Sequence, residues 1–372
     1  MSLRWKLIFL ELVPMFFFGV TAFTTIMIAV ILLKPLMNLL FSYNVSYYML
    51  GLLFVLGLPP AISYALPMGM LLASLMSINR LSARGEMTAL FAAGQSFFGV
   101  QMPIVAFGLA VSVLGLYLNE NVNPKVTALA DKLTAESLGK KQVTGKNIVV
   151  SEYRGGGSSR LIVAQLILSS CLENVVWEEL ENNQVKEMVE AKRACPSGPN
   201  KWRMEKGRLR FLFPDGRSTA QDFDTFEVDF SRTIEEVESV NQDVDTMTFE
   251  QAKASVPDVL KTYAETQPER VGRWMTQMYM KMSVPWVALI FALFGAALGL
   301  TQERSGSSIG MGISVLMALI YYILVMVSVQ IGGSRALPPQ VCAWIPNLVF
   351  IGLAVALTIR ANNPFLGKRL AG

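Results

Sequence analysis

The chain has 372 residues, 52% of them hydrophobic and only 16% charged, a balance too apolar for an ordinary soluble protein. Of its 60 Asp, Glu, Lys and Arg residues, 47 lie between Glu120 and Lys281, where 22 positive and 25 negative charges nearly cancel; the flanks keep 10 Lys or Arg against 3 Glu. The net charge of +4 therefore sits at helix ends, where membrane topology accounts for it without nucleic acid, and the absence of histidine removes the commonest general base and His-bearing metal sites.

A membrane core is crossed by about 20 consecutive apolar residues in a helix. Leu12 to Leu33 is the first such stretch, with Arg4 and Lys6 ahead of it and Lys34 at its end. It is too long for a secretory leader and no convincing small-x-small cleavage site follows, so it reads as an uncleaved first span. Pro35 to Asn79 is also uncharged but too long for one span. Polar Ser42, Asn44 and Ser46 mark its non-membrane start, and the second span runs from about Met49 to Ile78. The third runs from about Phe97 to Leu118.

A short charged segment, about 79–95, separates the second and third spans. On a helix its Leu81, Met87, Leu90 and Phe91 can share an apolar face while Arg84 and Glu86 project from others. Such a helix suits a groove on a soluble partner. The same spacing also suits a plain interfacial turn.

From Ile148 the pattern changes to short runs of β-branched and aromatic residues divided by turn signals. Candidate strands are Asn147–Arg154, Arg160–Leu168, Asn174–Glu179, Val185–Ala194, Lys201–Met204 and Arg208–Phe213. Gly155-Gly156-Gly157 and Phe213-Pro214-Asp215-Gly216 read as turns, and no GxxxxGK[ST] phosphate loop occurs, so no ATP hydrolysis is expected of this chain alone. Phe226, Val228 and Phe230 alternate with Glu227 and Asp229 as in a half-buried strand. The spacing predicts a sandwich or jelly roll. Cys171 and Cys195 fall within it, either as a disulfide or as two unlinked thiols. A helix starts at Thr248, with Gln251 three residues later in a capping-box arrangement, and ends before Pro268; a second run, Glu269 to Lys281, leads into the fourth span.

The last three spans run from about Ser283 to Leu300, Ile309 to Gln330 and Leu337 to Ile359, the last holding Cys342. With the N-terminus in the cytoplasm, the inner side holds Arg4, Lys6, Arg80, Arg84, Arg304, Arg360, Lys368 and Arg369, and the short outer loops hold Lys34 and Arg335. This bias predicts both termini inside and the central domain outside. No charge lies within the span interiors so bounded, which argues against intramembrane enzyme chemistry. The predicted division is 1–120 for the first three spans, 121–280 for the strand domain with its helical connection 248–281, and 281–372 for the last three.

Arg84-Gly85-Glu86-Met87-Thr88-Ala89-Leu90 followed by Ala92-Ala93-Gly94 resembles a segment of the lipopolysaccharide-export permease family, the LptF/LptG type. Further matches follow in order: Pro285 opening a span that ends at Gly299, then Arg304-Ser305-Gly306, Gly310, Gly312, Tyr321-Tyr322, Leu337-Pro338 and Ala343-Trp344-Ile345-Pro346-Asn347. Leu58-Pro59-Pro60 and Leu66-Pro67 lean toward the LptF type. The resemblance covers nearly the whole chain and implies six helices with an inserted periplasmic β-jellyroll-like domain in a bacterial inner membrane. It implies a coupling helix that docks on a cytoplasmic ATPase dimer, with Glu86 at the matching position and Arg84 and Arg80 beside it. Arg84 and Arg80 also suit anchoring to anionic lipid.

The resemblance further implies a second permease subunit, paralogue or self, periplasmic bridge jelly rolls, and lipopolysaccharide as cargo. No cofactor is implied. Lys34 corresponds to basic residues that face lipid phosphates, though a snorkelling lysine fits as well. Gly19, Gly310 and Gly312 permit close helix approach, either at lateral gates between spans one and five of neighbouring subunits or in packing. The remaining alternatives are an exporter of another lipid or lipoprotein and a membrane-anchored sensor or scaffold.

Overall fold

The computed structural model describes residues 3–43, 45–137, 148–153, 158–164, 166–168, 171–181, 184–198, 201–212, 218–229, 244–264, 267–301 and 307–362. The turns read at 155–157 and 213–216, the Arg304-Ser305-Gly306 motif, and Lys368 and Arg369 lie outside these residues.

Six helices are long and apolar enough to cross a membrane: Trp5–Phe41, Tyr47–Ala83, Phe97–Thr134, Pro268–Leu300, Gly310–Gly333 and Pro339–Asn362. Three precede and three follow an inserted strand domain. The first four extend well beyond the stretches that hydropathy marks. Two of them have 37 residues, or about 55 Å at 1.5 Å per residue against a hydrocarbon core of about 30 Å.

The first span is α1 (Leu3–Met27), a π-helical stretch (Ile28–Leu33) and α2 (Lys34–Tyr43); the second is α3 (Tyr47–Ala83). After the short α4 (Glu86–Ala92), the third is α5 (Phe97–Tyr117), a π-helical stretch (Leu118–Val122) and α6 (Asn123–Ser137). Each π stretch comes just before a proline, Pro35 or Pro124. Proline lacks an N–H and crowds the carbonyl four residues back, so a wider local winding lets the helix pass it. The expected ends at Leu33 and Leu118 are therefore corrected: the helices continue there into more polar sequence.

The expected single helix after Thr248 is divided into α7 (Phe249–Ala254) and α8 (Val256–Tyr263). Pro257 removes the N–H that would bond Lys253, and the break falls at Ser255. The capping box is present: Thr248 Oγ1 accepts from Gln251 N at 3.2 Å and Thr248 N donates to Gln251 Oε1 at 2.9 Å. Next come α9 (Pro268–Ser283), a 3-10 turn (Val284–Trp286), α10 (Val287–Thr301), α11 (Ser307–Gly333) and α12 (Pro339–Asn362).

Contacts divide the chain into a helical unit (Met1–Asn38, Gly57–Pro124 and Gly272–Gly372) and a second unit (Leu39–Leu56 and Lys125–Val271). At the centre of the helical unit is α10. Its span is 67% buried, against 17% for the first span. Small residues make this possible. A Cβ on Gly295 would meet Ser74 Oγ and the Leu71 carbonyl, and one on Gly299 would meet the Leu75 carbonyl at 2.6 Å, so α10 and α3 approach at backbone distance. On another side, the Phe291, Phe294, Tyr321 and Phe350 rings meet edge to face, with centroids 5.1 Å apart for Phe294 and Phe350 and 5.7 Å for Tyr321 and Phe350.

Several buried polar groups in this unit find partners across helices. Ser74 Oγ donates to Phe291 O at 3.1 Å, and Leu289 N donates to Ser112 Oγ at 2.9 Å. Tyr321 OH donates to Asn347 Oδ1 at 3.0 Å, Asn347 Nδ2 to Ser283 O at 2.8 Å, and Ser283 Oγ to Ala343 O at 2.7 Å. Without water to replace them, such bonds fix helix register.

The second unit contains an antiparallel sheet of β1 (Ile148–Tyr153), β2 (Ser158–Ala164), β3 (Leu166–Leu168), β4 (Cys171–Glu181), β5 (Gln184–Gly198), β6 (Lys201–Leu212) and β7 (Ser218–Asp229). Its order is β1-β2-β4-β5-β6-β7, with β3 also paired to β4. One face buries Leu172, Val175, Trp177, Val189, Ala194, Trp202, Met204, Leu209 and Val228.

This alternation slips by one residue in each of four strands. The register pairs skip Asn174, Lys192, Lys206 and Asp224 in one row, and Asn174 and Lys206 have φ of 50° and 51°. The two strands expected at Lys201–Met204 and Arg208–Phe213 are one strand, β6, whose alternation is interrupted at Lys206 with φ 51°. Cys171 on β4 and Cys195 on β5 are joined by a disulfide, whereas Cys342 is free and buried. On the outer face Arg208 Nε lies 2.7 Å from Asp222 Oδ1, and the guanidinium holds that carboxyl below the usual carboxylate range.

Candidate functional site

The segment joining the second and third spans is a helix, a two-residue turn and a second helix. The turn, Arg84-Gly85, exists because Gly85 adopts φ 75°, a left-handed conformation that side chains disfavour. Gly85 O then accepts from Ala89 N at 3.1 Å and starts α4. No side chain caps this start; Glu86 occupies the first turn, where the helix dipole favours a carboxylate. Gly94, at φ 79°, ends α4 in a Schellman arrangement: Gln95 N donates to Leu90 O at 3.1 Å and Gly94 N to Phe91 O at 2.9 Å. Ser96 then caps α5, its Oγ accepting from Gly99 N at 3.2 Å.

The single apolar face expected for this segment divides in two. Leu81 and Met87 are buried and Leu90 packs beside them, but Phe91 is exposed. Phe91 lies on α4 itself, at the outward edge of the face that Met87 and Leu90 turn inward, so the departure falls within α4 and not across the Gly85 turn. The outward side of α4 consists of Thr88, Ala89, Phe91 and Ala92.

Arg84 and Glu86 project near each other, with Arg84 Nη1 3.9 Å from Glu86 Oε1. The closer partner is Glu11 on α1. Its Oε1 lies 2.5 Å from Arg84 Nη1 and its Oε2 lies 3.8 Å from Arg80 Nη1. Nothing local in the sequence marks Glu11 as a partner of Arg84, because the pair is separated by 73 positions. The available signal was a lone carboxylate one residue ahead of an uncharged span, beside Ile8 and Leu12, both wholly buried.

The other expected site residues lie apart from this cluster. Lys34 is exposed and does not end its helix; it begins α2, which continues to Tyr43. A Cβ on Gly19 would come within 3.0 Å of Gly69 Cα, and one on Gly310 within 2.9 Å of Leu75 Cδ2, so both glycines face α3 of the same chain. Gly312 faces open space. Large apolar side chains stand outward on the first and fifth spans, among them Phe17, Phe18, Leu316, Leu319 and Met326. Among the described residues, no group of three or more His, Cys, Asp or Glu side chains is placed to hold a metal ion.

No curated protein matches this sequence. Residues 6–360 match the family described as lipopolysaccharide export system permease LptF/LptG. That match takes in all six spans and the inserted strand domain, and it makes the chain a transport protein of the inner membrane rather than a member of a catalytic family. The chain belongs to the LptF/LptG family of lipopolysaccharide export permeases.

Proposed function

We propose that this permease is the membrane subunit of an ATP-driven exporter that extracts lipopolysaccharide from the inner membrane and passes it to a periplasmic bridge of jelly-roll proteins. The observation that carries this reading is α4. A helix of this length has little stability of its own. Here it is fixed at its base by Met87 and presents Thr88, Ala89, Phe91 and Ala92 outward, with Glu86 in its first turn. That arrangement suits insertion into a groove on a soluble partner. We assign the partner as a cytoplasmic ATPase dimer, with Glu86 as the coupling residue and Arg84 and Arg80 supporting it. Both chain termini and α4 then face the cytoplasm, and region 121–280 faces the periplasm.

A second permease subunit, a paralogue or another copy, would face the outward apolar sides of the first and fifth spans, with Gly312 on the open side of α11. The acyl chains would run among such lipid-like surfaces, and the strand domain would shield them from water on exit. Lys34, exposed on its helix, would meet a lipid phosphate as a point charge.

Glu86→Ala tests the assignment in proteoliposomes that contain the permease, its ATPase and lipopolysaccharide. The variant should insert and assemble, while ATP-dependent lipopolysaccharide release falls about tenfold or more, as for loss of a central interface contact. Normal release by the purified variant complex would remove the coupling role from Glu86.

A further inference from the structure

We infer that Glu11 is a positioning residue for α4: it grips Arg84 and ties the turn before α4 to the first span. The inference rests on the coupling role proposed above. Along the backbone α4 is continuous only with the second and third spans, so a push on it reaches those two directly. The first span has no such connection. Its polar link is Glu11, whose carboxylate reaches Arg84 at 2.5 Å with one oxygen and Arg80 at 3.8 Å with the other.

Burial separates this contact from an ordinary surface ion pair. The Glu11 side chain is 18% exposed, against 55% for Arg84. A half-buried carboxylate beside wholly buried Ile8 and Leu12 is stabilised by its two guanidinium partners. Removing either partner therefore changes more than it would at an open surface.

The turn itself supplies little restraint. A Cβ on Gly85 would meet nothing within 4 Å, and α4 has no side-chain cap at its start. The attitude of α4 is then set by Met87 and Leu90, packed in the apolar cluster, and by the Glu11–Arg84 pair, which holds the residue from which the turn starts. Met87 belongs to the same apolar cluster as Ile8 and Leu12, but apolar contacts slide, whereas a charge-assisted hydrogen bond from Arg84 Nη1 to Glu11 Oε1 fixes direction. Through this pair the first span, the least buried of the six, moves with α4.

The test uses the full chain twice, carrying Cys342→Ala and a nitroxide on Ala89→Cys in lipid nanodiscs without any partner, and unlabelled with Ala89 intact in the assembled exporter. Glu11→Gln keeps the size of the side chain and removes its charge. The nitroxide should become more mobile, and lipopolysaccharide released per ATP hydrolysed should fall about tenfold. Arg84→Gln should do the same, and the double variant should be no worse than either single one, because both remove one shared interaction. Glu11→Asp, which keeps the charge, should retain most of the wild-type behaviour.

An unchanged nitroxide spectrum in Glu11→Gln overturns the inference. So does a double variant whose losses are the sum of the two single ones. The nanodisc measurement needs no ATPase, so it reports on Glu11 even where Glu86→Ala has already disproved the coupling role.

Discussion

The fourth and first spans are both built from long uncharged stretches, yet their surroundings are opposite. The fourth is 67% buried and the first 17%. Val287–Thr301 is rich in Ala and Gly, and neighbouring helices reach its backbone. The first span carries Phe17 and Phe18 outward. In lipid, hydrophobicity does not sort inside from outside, because acyl chains are as apolar as a leucine side chain. Side-chain size sorts them instead. Small residues let helices close on one another, and bulky ones fill the boundary with lipid or with a partner.

The contrast can be broken first at the backbone contact. Gly295→Val forces a branched side chain against Ser74 and the Leu71 carbonyl, and should destabilise the folded protein by about 3 kcal/mol. Gly312→Val, facing open space, should change stability by less than about 0.5 kcal/mol. Thermal unfolding in detergent, followed by retention of the monomer peak, measures both. Equal losses at the two sites would mean that α10 is not the packing centre.

A smaller difference is expected from cavities. Phe291→Ala removes a wholly buried ring from the cluster with Tyr321 and Phe350. Lipid solvates the lost ring surface as well as the core does, so only the cavity part of the usual loss remains, about 2 kcal/mol. Phe17→Ala, at a ring 62% exposed, should have almost no effect on the chain by itself. Steric-trapping unfolding in bicelles distinguishes the two, and a comparable loss at Phe17 would contradict the outer position of the first span.

The smallest effect is polar. Asn347→Ala leaves Tyr321 OH and Ser283 O without their partner and should destabilise by about 1 kcal/mol, near the upper part of the range for hydrogen bonds between membrane helices. Hydrogen exchange at residues 280–290 should rise in this variant. Unchanged exchange would show that aromatic packing alone holds those helices in register.

Much of the fold was legible. The six apolar stretches, the strand-rich insert and the capping box at Thr248 each rest on residues close together in sequence, where periodicity and hydropathy act directly. The helix ends at Leu33 and Leu118 were not legible, since a π-helical stretch before Pro35 and Pro124 carries each helix past its proline. The site was half legible. Glu86 and the two arginines stand in one short segment with a recognisable order. Glu11 did not stand out, because nothing local marks which distant charge it meets.

By itself the sequence determined that this protein crosses a membrane six times, inserts a strand domain between its third and fourth spans, and has a short charged segment between its second and third. Those properties follow from transfer of apolar stretches into lipid and from local backbone preferences. Only the tertiary structure decided which span is central, which glycines face α3, how one row of residues interrupts the alternation across the sheet, and that Arg84 is held by Glu11. Those depend on where surfaces distant in sequence meet, and in lipid that is governed by shape and by paired polar groups rather than by hydropathy.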